Sequence, residues 1–167
     1  KIFNSKNKNE KINKGRIIGI IGNRGIGKTT FINIFTNCIK NKKILIIDFD
    51  LINSNMQKIL EENKKINNKK IINNNKNIKE NKKEKNIYDI NNTQNKNEYS
   101  IFNSLKNINK NIDLLSGLNE LYYLDKINIK NIFIELDKIK NKYDYIFIDT
   151  YSEILFNENL EILNNCD

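Results

Sequence analysis

The 167-residue chain contains no proline, histidine, tryptophan, alanine or valine, and it has only two cysteines and six glycines. Cys38 and Cys166 are far apart and form no CxxC pair, so we expect neither a zinc site nor a disulfide framework. Two lone cysteines suit a reducing cytoplasm. No apolar run approaches the length of a membrane span, and no signal peptide is visible. These absences favour a cytoplasmic protein.

Asparagine, isoleucine and lysine dominate what is present, with 35, 33 and 27 copies. This composition is expected when coding DNA is rich in A and T, so clusters of Asn and Lys carry little functional information. The net charge of +9 comes from residues 1–16 (+5) and 61–100 (+4), and the rest is balanced. Charge on such low-complexity segments attracts nucleic acid only weakly. We therefore expect no sequence-specific nucleic-acid partner.

The chain has the length of one domain. Residues 1–15 are predicted to be a polar tail or linker. Residues 16–167 form the domain, with an Asn/Lys-rich insertion at about 61–86 that should contribute little to the core. Apolar runs predict buried strands at 16–22, 42–50, 111–117 and 143–150. Helical patterns follow at 27–40, 54–60, 98–108, 127–142 and from 157. This alternation predicts an α/β fold, a three-layer sandwich with a mainly parallel sheet flanked by helices.

Two of the predicted helices have a clear apolar periodicity. In the helix at 27–40, Phe31, Ile34, Phe35 and Cys38 recur at helical spacing. A cysteine in such a pattern is most often buried, so we expect a buried Cys38 thiol. The helix at 127–142 has one apolar face, which consists of Ile129, Ile132, Phe133, Leu136 and Ile139.

A glycine-rich loop stands out between the first strand and the first helix. Residues 22–29, GNRGIGKT, fit the phosphate-loop pattern GxxxxGK[ST] at every required position. In such a loop the backbone N–H groups surround phosphate oxygens, and the following helix adds its dipole. Lys28 is expected to reach the β- and γ-phosphates, and the Thr29 hydroxyl to bind Mg²⁺. The expected nucleotide-binding residues are Gly22, Asn23, Arg24, Gly25, Ile26, Gly27, Lys28, Thr29 and Thr30. A plain glycine turn would explain the glycines but not the Lys-Thr-Thr that follows.

Acidic residues end two of the predicted strands. Asp149 ends YIFID and is a candidate Walker-B carboxylate, while Asp48 and Asp50 end ILIIDFD. In open α/β sheets, ligands collect at the carboxyl ends of parallel strands. The expected metal-binding residues are therefore Thr29, Asp48 and Asp149.

Several motifs in order resemble the MinD/ParA group of P-loop ATPases, which includes pilus-localisation ATPases and bacterial tyrosine kinases. The segment ILIIDFDLINSNMQKIL is similar to that group's IDxD motif, and NIDLLSGLNE is similar to its strand that ends in LPAG. The segment KNKYDYIFIDT resembles its YDYIIIDxP strand. The resemblance runs from about Arg16 to Asp167, and it implies a P-loop fold that stops before the next expected strand at the carboxyl terminus.

The resemblance also implies a mechanism. ATP and Mg²⁺ would be the cofactors of a slow hydrolysis that switches dimerisation and localisation. Lys28 and Asp50 would be the catalytic residues, with Asp50 helping to activate water and Asp48 near the metal. The implied partners are a second copy in an ATP-dependent homodimer and either a membrane surface or a pilus or secretion machine. The protein would be cytoplasmic or peripheral at the inner face of the membrane.

This chain departs from the group's usual KGGxGKT loop. Asn23 stands in place of the signature lysine, and Arg24 replaces the next glycine. Either the loop works without that lysine, as in the tyrosine-kinase and pilus relatives, or Arg24 supplies its charge across a dimer. A third reading has Arg24 facing solvent. Tyr151 and Ser152 also stand where prolines often follow the Walker-B acid.

Two alternatives to a switch ATPase remain open. One is a bacterial tyrosine-kinase-like domain, and the other is a nucleotide-binding scaffold without turnover. Residues 141–144, NKYD, also spell the guanine-specificity pattern [NT]KxD. They precede the Walker-B strand, whereas that motif should follow a later strand, so we interpret the match as coincidence.

Overall fold

A computed structural model describes residues 15–49, 55–68, 104–117, 128–150 and 157–167, without the side chains of 63–68 and 158. The predictions for Asp50, for Tyr151 and Ser152, for residues 1–14 of the tail and for most of the insertion lie outside the described residues.

The described residues form one five-stranded sheet. Its strands are β1 (Arg16–Ile20), β2 (Ile44–Asp48), β3 (Leu105–Asn109), β4 (Ile112–Leu115) and β5 (Tyr145–Asp149). The strand order is β1-β5-β2-β4-β3. All neighbouring pairs are parallel except β3 with β4, which is antiparallel. The mainly parallel sheet is therefore confirmed.

The helix predicted at 98–108 is wrong where the structure describes it, because residues 105–109 form β3. A turn explains the difference. The Asn109 side-chain oxygen accepts hydrogen bonds from the backbone N–H groups of Asn111 (2.9 Å) and Ile112 (3.0 Å). Asparagine that bonds the backbone in this way favours a turn over a continuing helix. The turn leads β3 back along β4 as a hairpin.

Helices cover both faces of the sheet. They are α1 (Lys28–Cys38), α2 (Met56–Asn68), α3 (Ile129–Asp137) and α4 (Asn157–Asn164), with a short 3-10 helix at Lys140–Lys142. One core packs α1 and α2 on the sheet, and its residues include Ile32, Ile46, Met56, Leu60 and Phe147. The other packs α3 and α4 on the opposite face, and its residues include Ile47, Ile132, Leu136, Ile148 and Ile162. Strands buried on both faces explain the continuous apolar runs in the sequence.

The rotation of α1 differs from the prediction. Its buried residues are Lys28, Ile32 and Thr36, whereas Phe31 is 50% exposed, Ile34 is 59% exposed and Cys38 is exposed. The expected burial of the Cys38 thiol is therefore wrong. The glycine loop before α1 fixes its first turn with Lys28 inward, so residues at four-residue steps from Lys28 face the sheet. Apolar periodicity alone did not reveal that a lysine leads the buried face.

Within the described ranges, no helix combines the length and the apolar character needed to cross a membrane.

Candidate functional site

The loop between β1 and α1 has a backbone conformation that requires glycine. Gly22 has φ 152° and Gly27 has φ 94°, both in the region that side chains rarely adopt. At Gly22 an added Cβ would also lie 2.1 Å from Ile26 Cδ1. Two of the loop's glycines are thus explained by backbone geometry before any ligand is considered.

The start of α1 has no side-chain cap. Gly27 is the N-cap residue, and as a glycine it supplies no side-chain cap to the first turn. Phe31 N–H is bonded within the helix, to Gly27 O at 2.7 Å. The N–H groups of residues 28–30 belong to the helix end that has no intrahelical acceptors. They provide donors for an anion beside the loop.

Lys28 lies buried against this loop, at 7% exposure. Its ammonium donates to Gly22 O at 2.8 Å and to Asn23 O at 3.5 Å. Among the described residues it forms no ion pair with a carboxylate. The loop carbonyls therefore hold the ammonium where its charge can complement an anion bound to the loop.

Thr29 links α1 to the end of β5. Its hydroxyl donates to Asp149 Oδ2 at 2.5 Å. Asp149 is 1% exposed, as is Asp48, and the two are register partners on neighbouring strands. Both continue the sheet face that includes Ile46 and Phe147 in the α1 core, and parallel neighbours lie about 4.8 Å apart. Two buried carboxylates thus stand side by side under the first turn of α1.

This donor set fits Mg²⁺. A hydroxyl and carboxylates are hard oxygen ligands, and Mg²⁺ is usually held by one or two carboxylates together with substrate phosphates. The described residues contain no group of three or more His, Cys, Asp or Glu that could enclose a metal by themselves. A nucleotide's phosphates would complete the coordination.

The remaining predicted site residues are placed as follows. Asn23, Arg24, Gly25 and Ile26 form the exposed crest of the loop, and Thr30 is exposed on the first turn of α1. The structure thus brings together Lys28, Thr29, Asp48 and Asp149, whereas Asp50 lies outside the described residues.

The NKYD pattern lies at the amino ends of the parallel strands, whereas the phosphate loop lies at their carboxyl ends. Asp144 accepts hydrogen bonds from Lys42 Nζ at 2.9 Å and from Lys43 N–H at 2.8 Å, just before β5. The Lys42 hydrogen bond lowers the pKa of Asp144. The five residues of β5 separate this aspartate from the loop edge by about 16 Å. Asp144 therefore does not face the phosphate loop.

Sequence reasoning missed Thr150. This residue directly follows Asp149, is fully buried, and donates its hydroxyl to Ile20 O at 2.8 Å. Its place directly after the strand-ending Asp149 is the feature of the sequence that could have indicated it.

A family model described as an AAA domain matches residues 15–161. The chain belongs to the MinD/ParA-like family of P-loop ATPases. No curated protein sequence matches it.

Solved structures of MinD/ParA-like proteins have the same fold. A putative plasmid partition protein from Borrelia burgdorferi bound to AMPPNP is 28% identical, covers 89% of this chain and 57% of its own, and has a TM-score of 0.62. The septum site-determining protein MinD from Pyrococcus horikoshii, complexed with Mg-ADP, is 19% identical with a TM-score of 0.60, over 91% of this chain and 55% of its own.

A ParA family ATPase from Chlorobium tepidum is 16% identical with a TM-score of 0.59, over 91% of this chain and 57% of its own. The chain therefore spans little more than half the length of these MinD/ParA-like structures.

Proposed function

We propose that the protein binds Mg-ATP at residues 22–30 and hydrolyses it slowly, as a switch. ATP favours a homodimer, and hydrolysis returns the monomer. One observation carries the proposal: Lys28, Thr29 and Asp149 meet at the start of α1, whose N-cap residue is a glycine. The AMPPNP of the Borrelia protein and the Mg-ADP of the Pyrococcus protein support it.

The binding step uses charge neutralisation. The first N–H groups of α1 and the ammonium of Lys28 would bind the phosphate oxygens. Thr29, Asp48 and Asp149 would hold Mg²⁺, which neutralises charge on the β- and γ-phosphates. The exposed crest at 23–26 leaves the nucleotide accessible to a second subunit.

The hydrolytic step asks the protein mainly to position groups. We assign Asp50 to orienting and activating the attacking water, as the family resemblance implies. Asp50 is two residues beyond Asp48, and Asp48 adjoins Asp149 in the sheet register. This short separation favours a role for Asp50 near the phosphates.

The switch requires a partner that distinguishes monomer from dimer. The proposal places the protein in the cytoplasm, where that partner is the inner membrane surface or a pilus or secretion machine. The ATP-bound dimer would bind this partner, and the monomer formed by hydrolysis would leave it.

Phosphate release from ATP by the complete protein, with and without Mg²⁺, tests the proposal. Asp50→Ala should retain ATP affinity and lower turnover about 100-fold, since general-base groups contribute at least that much. Asp144→Asn is the matched control, because it removes an aspartate charge at the opposite edge and should leave turnover unchanged.

The outcomes separate the alternatives. Hydrolysis at the parent rate in Asp50→Ala would remove Asp50 from the mechanism. Tight ATP binding without phosphate release would identify a nucleotide-binding scaffold, and transfer of phosphate to tyrosine would identify a kinase.

A further inference from the structure

Thr150 makes a double contact with the strand that leads into the phosphate loop. Its hydroxyl donates to Ile20 O at 2.8 Å, and its own N–H reaches the same oxygen at 3.3 Å. The residue is 0% exposed. Ile20 lies two residues before Gly22, so this contact joins the end of β5 to the start of the loop.

The hydroxyl is the stronger of the two donors. An N–H···O distance of 3.3 Å is longer than a normal hydrogen bond, whereas 2.8 Å is typical for a hydroxyl. A buried carbonyl also loses free energy when no good donor reaches it. The side chain of Thr150 therefore gives β1 and β5 a fixed separation at the point where the regular ladder ends.

Asp149 is held between two such contacts. Its own carbonyl accepts from Phe49 N–H at 2.8 Å, on the β2 side. The next residue, Thr150, bonds to β1, while the ladder pairs Asp149 with Ile20. The backbone of Asp149 is thus held by contacts to both β2 and β1. The contact to β1 depends on the Thr150 side chain.

We infer that Thr150 is a positioning residue that sets the distance between the Asp149 carboxylate and the phosphate loop. This inference rests on the proposed Mg-nucleotide site. Thr29 bonds the Asp149 carboxylate from the loop side, and the Thr150 contact fixes the position of Asp149 relative to that loop. Without the hydroxyl, the carboxylate and the loop are held less firmly relative to each other. Mg²⁺, which demands near-ideal octahedral geometry, would then bind less tightly.

The experiment compares Thr150→Val, which replaces the hydroxyl by a methyl group of similar size, with Thr150→Ser, which keeps a hydroxyl. Mg²⁺ is titrated into the complete protein with AMPPNP, and binding is followed by calorimetry. Residues that orient metal ligands typically contribute 10–100-fold to metal affinity. We expect Thr150→Val to raise the half-saturating Mg²⁺ concentration about tenfold, and Thr150→Ser to restore it to within about threefold of the parent.

Thr36→Val is the matched control. Thr36 is 2% exposed and its hydroxyl donates to Ile32 O at 2.7 Å, so the same chemistry is lost two turns along α1 from the site. Its melting temperature should fall about as far as that of Thr150→Val, without any change in the Mg²⁺ requirement. AMPPNP affinity measured in EDTA should be the same in all variants.

Each outcome has a definite meaning. An unchanged Mg²⁺ requirement in Thr150→Val, beside a parent that binds Mg-AMPPNP, overturns the positioning role alone. A parent that binds no Mg-AMPPNP overturns the proposed function with it. If Thr150→Val does not melt cooperatively, Thr150→Cys replaces it. Its weak thiol donor should give a smaller shift in the same direction, and no shift would again overturn the role.

Discussion

The sheet uses lysine and aspartate differently at the two ends of its parallel strands. The amino ends of these strands are called the amino edge here, and the carboxyl ends are called the carboxyl edge. At the amino edge, Asp144 binds both the Lys42 ammonium and the Lys43 N–H, so cation and anion satisfy each other. At the carboxyl edge, the Lys28 ammonium donates to loop carbonyls, while Asp149 binds a hydroxyl. Among the described residues, Lys42 and Asp144 therefore contact each other at one edge, whereas Lys28 contacts carbonyls and Asp149 contacts a hydroxyl at the other.

This difference distinguishes a structural pair from a binding site. A closed ion pair has no further demand for a ligand. The Lys28 ammonium at the start of α1, together with two buried carboxylates at the ends of β2 and β5, is complementary to a ligand that has both anionic phosphates and a divalent cation. The arrangement at the carboxyl edge is therefore the one that points to function.

The largest expected effect is at the carboxyl edge. Lys28→Ala should weaken Mg-ATP binding about 100-fold, because hydrogen bonds to charged groups contribute about 1.5–3 kcal/mol each. Lys43→Ala removes an exposed lysine at the amino edge and should change affinity less than about twofold. Calorimetry of both variants tests the contrast. Equal affinities would show that the loop is not the nucleotide site.

A smaller effect is expected at the loop's crest. If exposed Arg24 reaches a partner's nucleotide, Arg24→Ala should weaken ATP-induced dimerisation about tenfold, the size of one hydrogen bond to a charged group. ADP affinity of the monomer should stay nearly the same. Arg24→Lys should restore part of the loss, because charge returns without the planar fork. Sedimentation of the complete protein with ATP decides, and equal dimerisation would leave Arg24 as a solvent-facing residue.

The smallest effect belongs to the amino edge. The Lys42 hydrogen bond lowers the folded-state pKa of Asp144 below its unfolded value, so the pair contributes stability above the unfolded pKa. That contribution disappears as pH falls through the folded pKa. The Asp144 side chain is 22% exposed and the Lys42 side chain is 43% exposed. Asp144→Asn should therefore lower the melting temperature at pH 7 by only about 2 °C.

The same comparison at acid pH sharpens this prediction. At pH 2 the melting difference between parent and Asp144→Asn should be smaller than at pH 7, because acid protonates the Asp144 carboxyl and removes its charge. Asp137 pairs with Lys140, and its side chain is 68% exposed. Asp137→Asn should therefore leave the melting temperature unchanged within error at either pH. A melting difference for Asp144→Asn that is as large at pH 2 as at pH 7 would show that packing, rather than charge, is responsible.

Much of this fold follows from local pattern. The four predicted strands and the helix after the glycine loop are confirmed, because buried runs and glycine punctuation act over a few residues. The misses have a common origin. Residues 105–109 became a strand because β4 offered an antiparallel partner, and α1 turned Lys28 inward because the loop fixed its first turn. Both depend on neighbours that sequence periodicity does not reveal.

The sequence by itself determined the chemistry of the loop, because GxxxxGKT specifies backbone freedom, an ammonium and a hydroxyl within eight consecutive residues. It also indicated which strands end in acids. Only the tertiary structure decided that β5 lies between β1 and β2, which sets Asp149 beside Asp48 and under Thr29, 120 residues away. It likewise gave Thr150 its partner, Ile20, 130 residues away. Strand order and register arise from burying all the apolar faces together, so contacts between distant residues appear only when the whole sheet has formed.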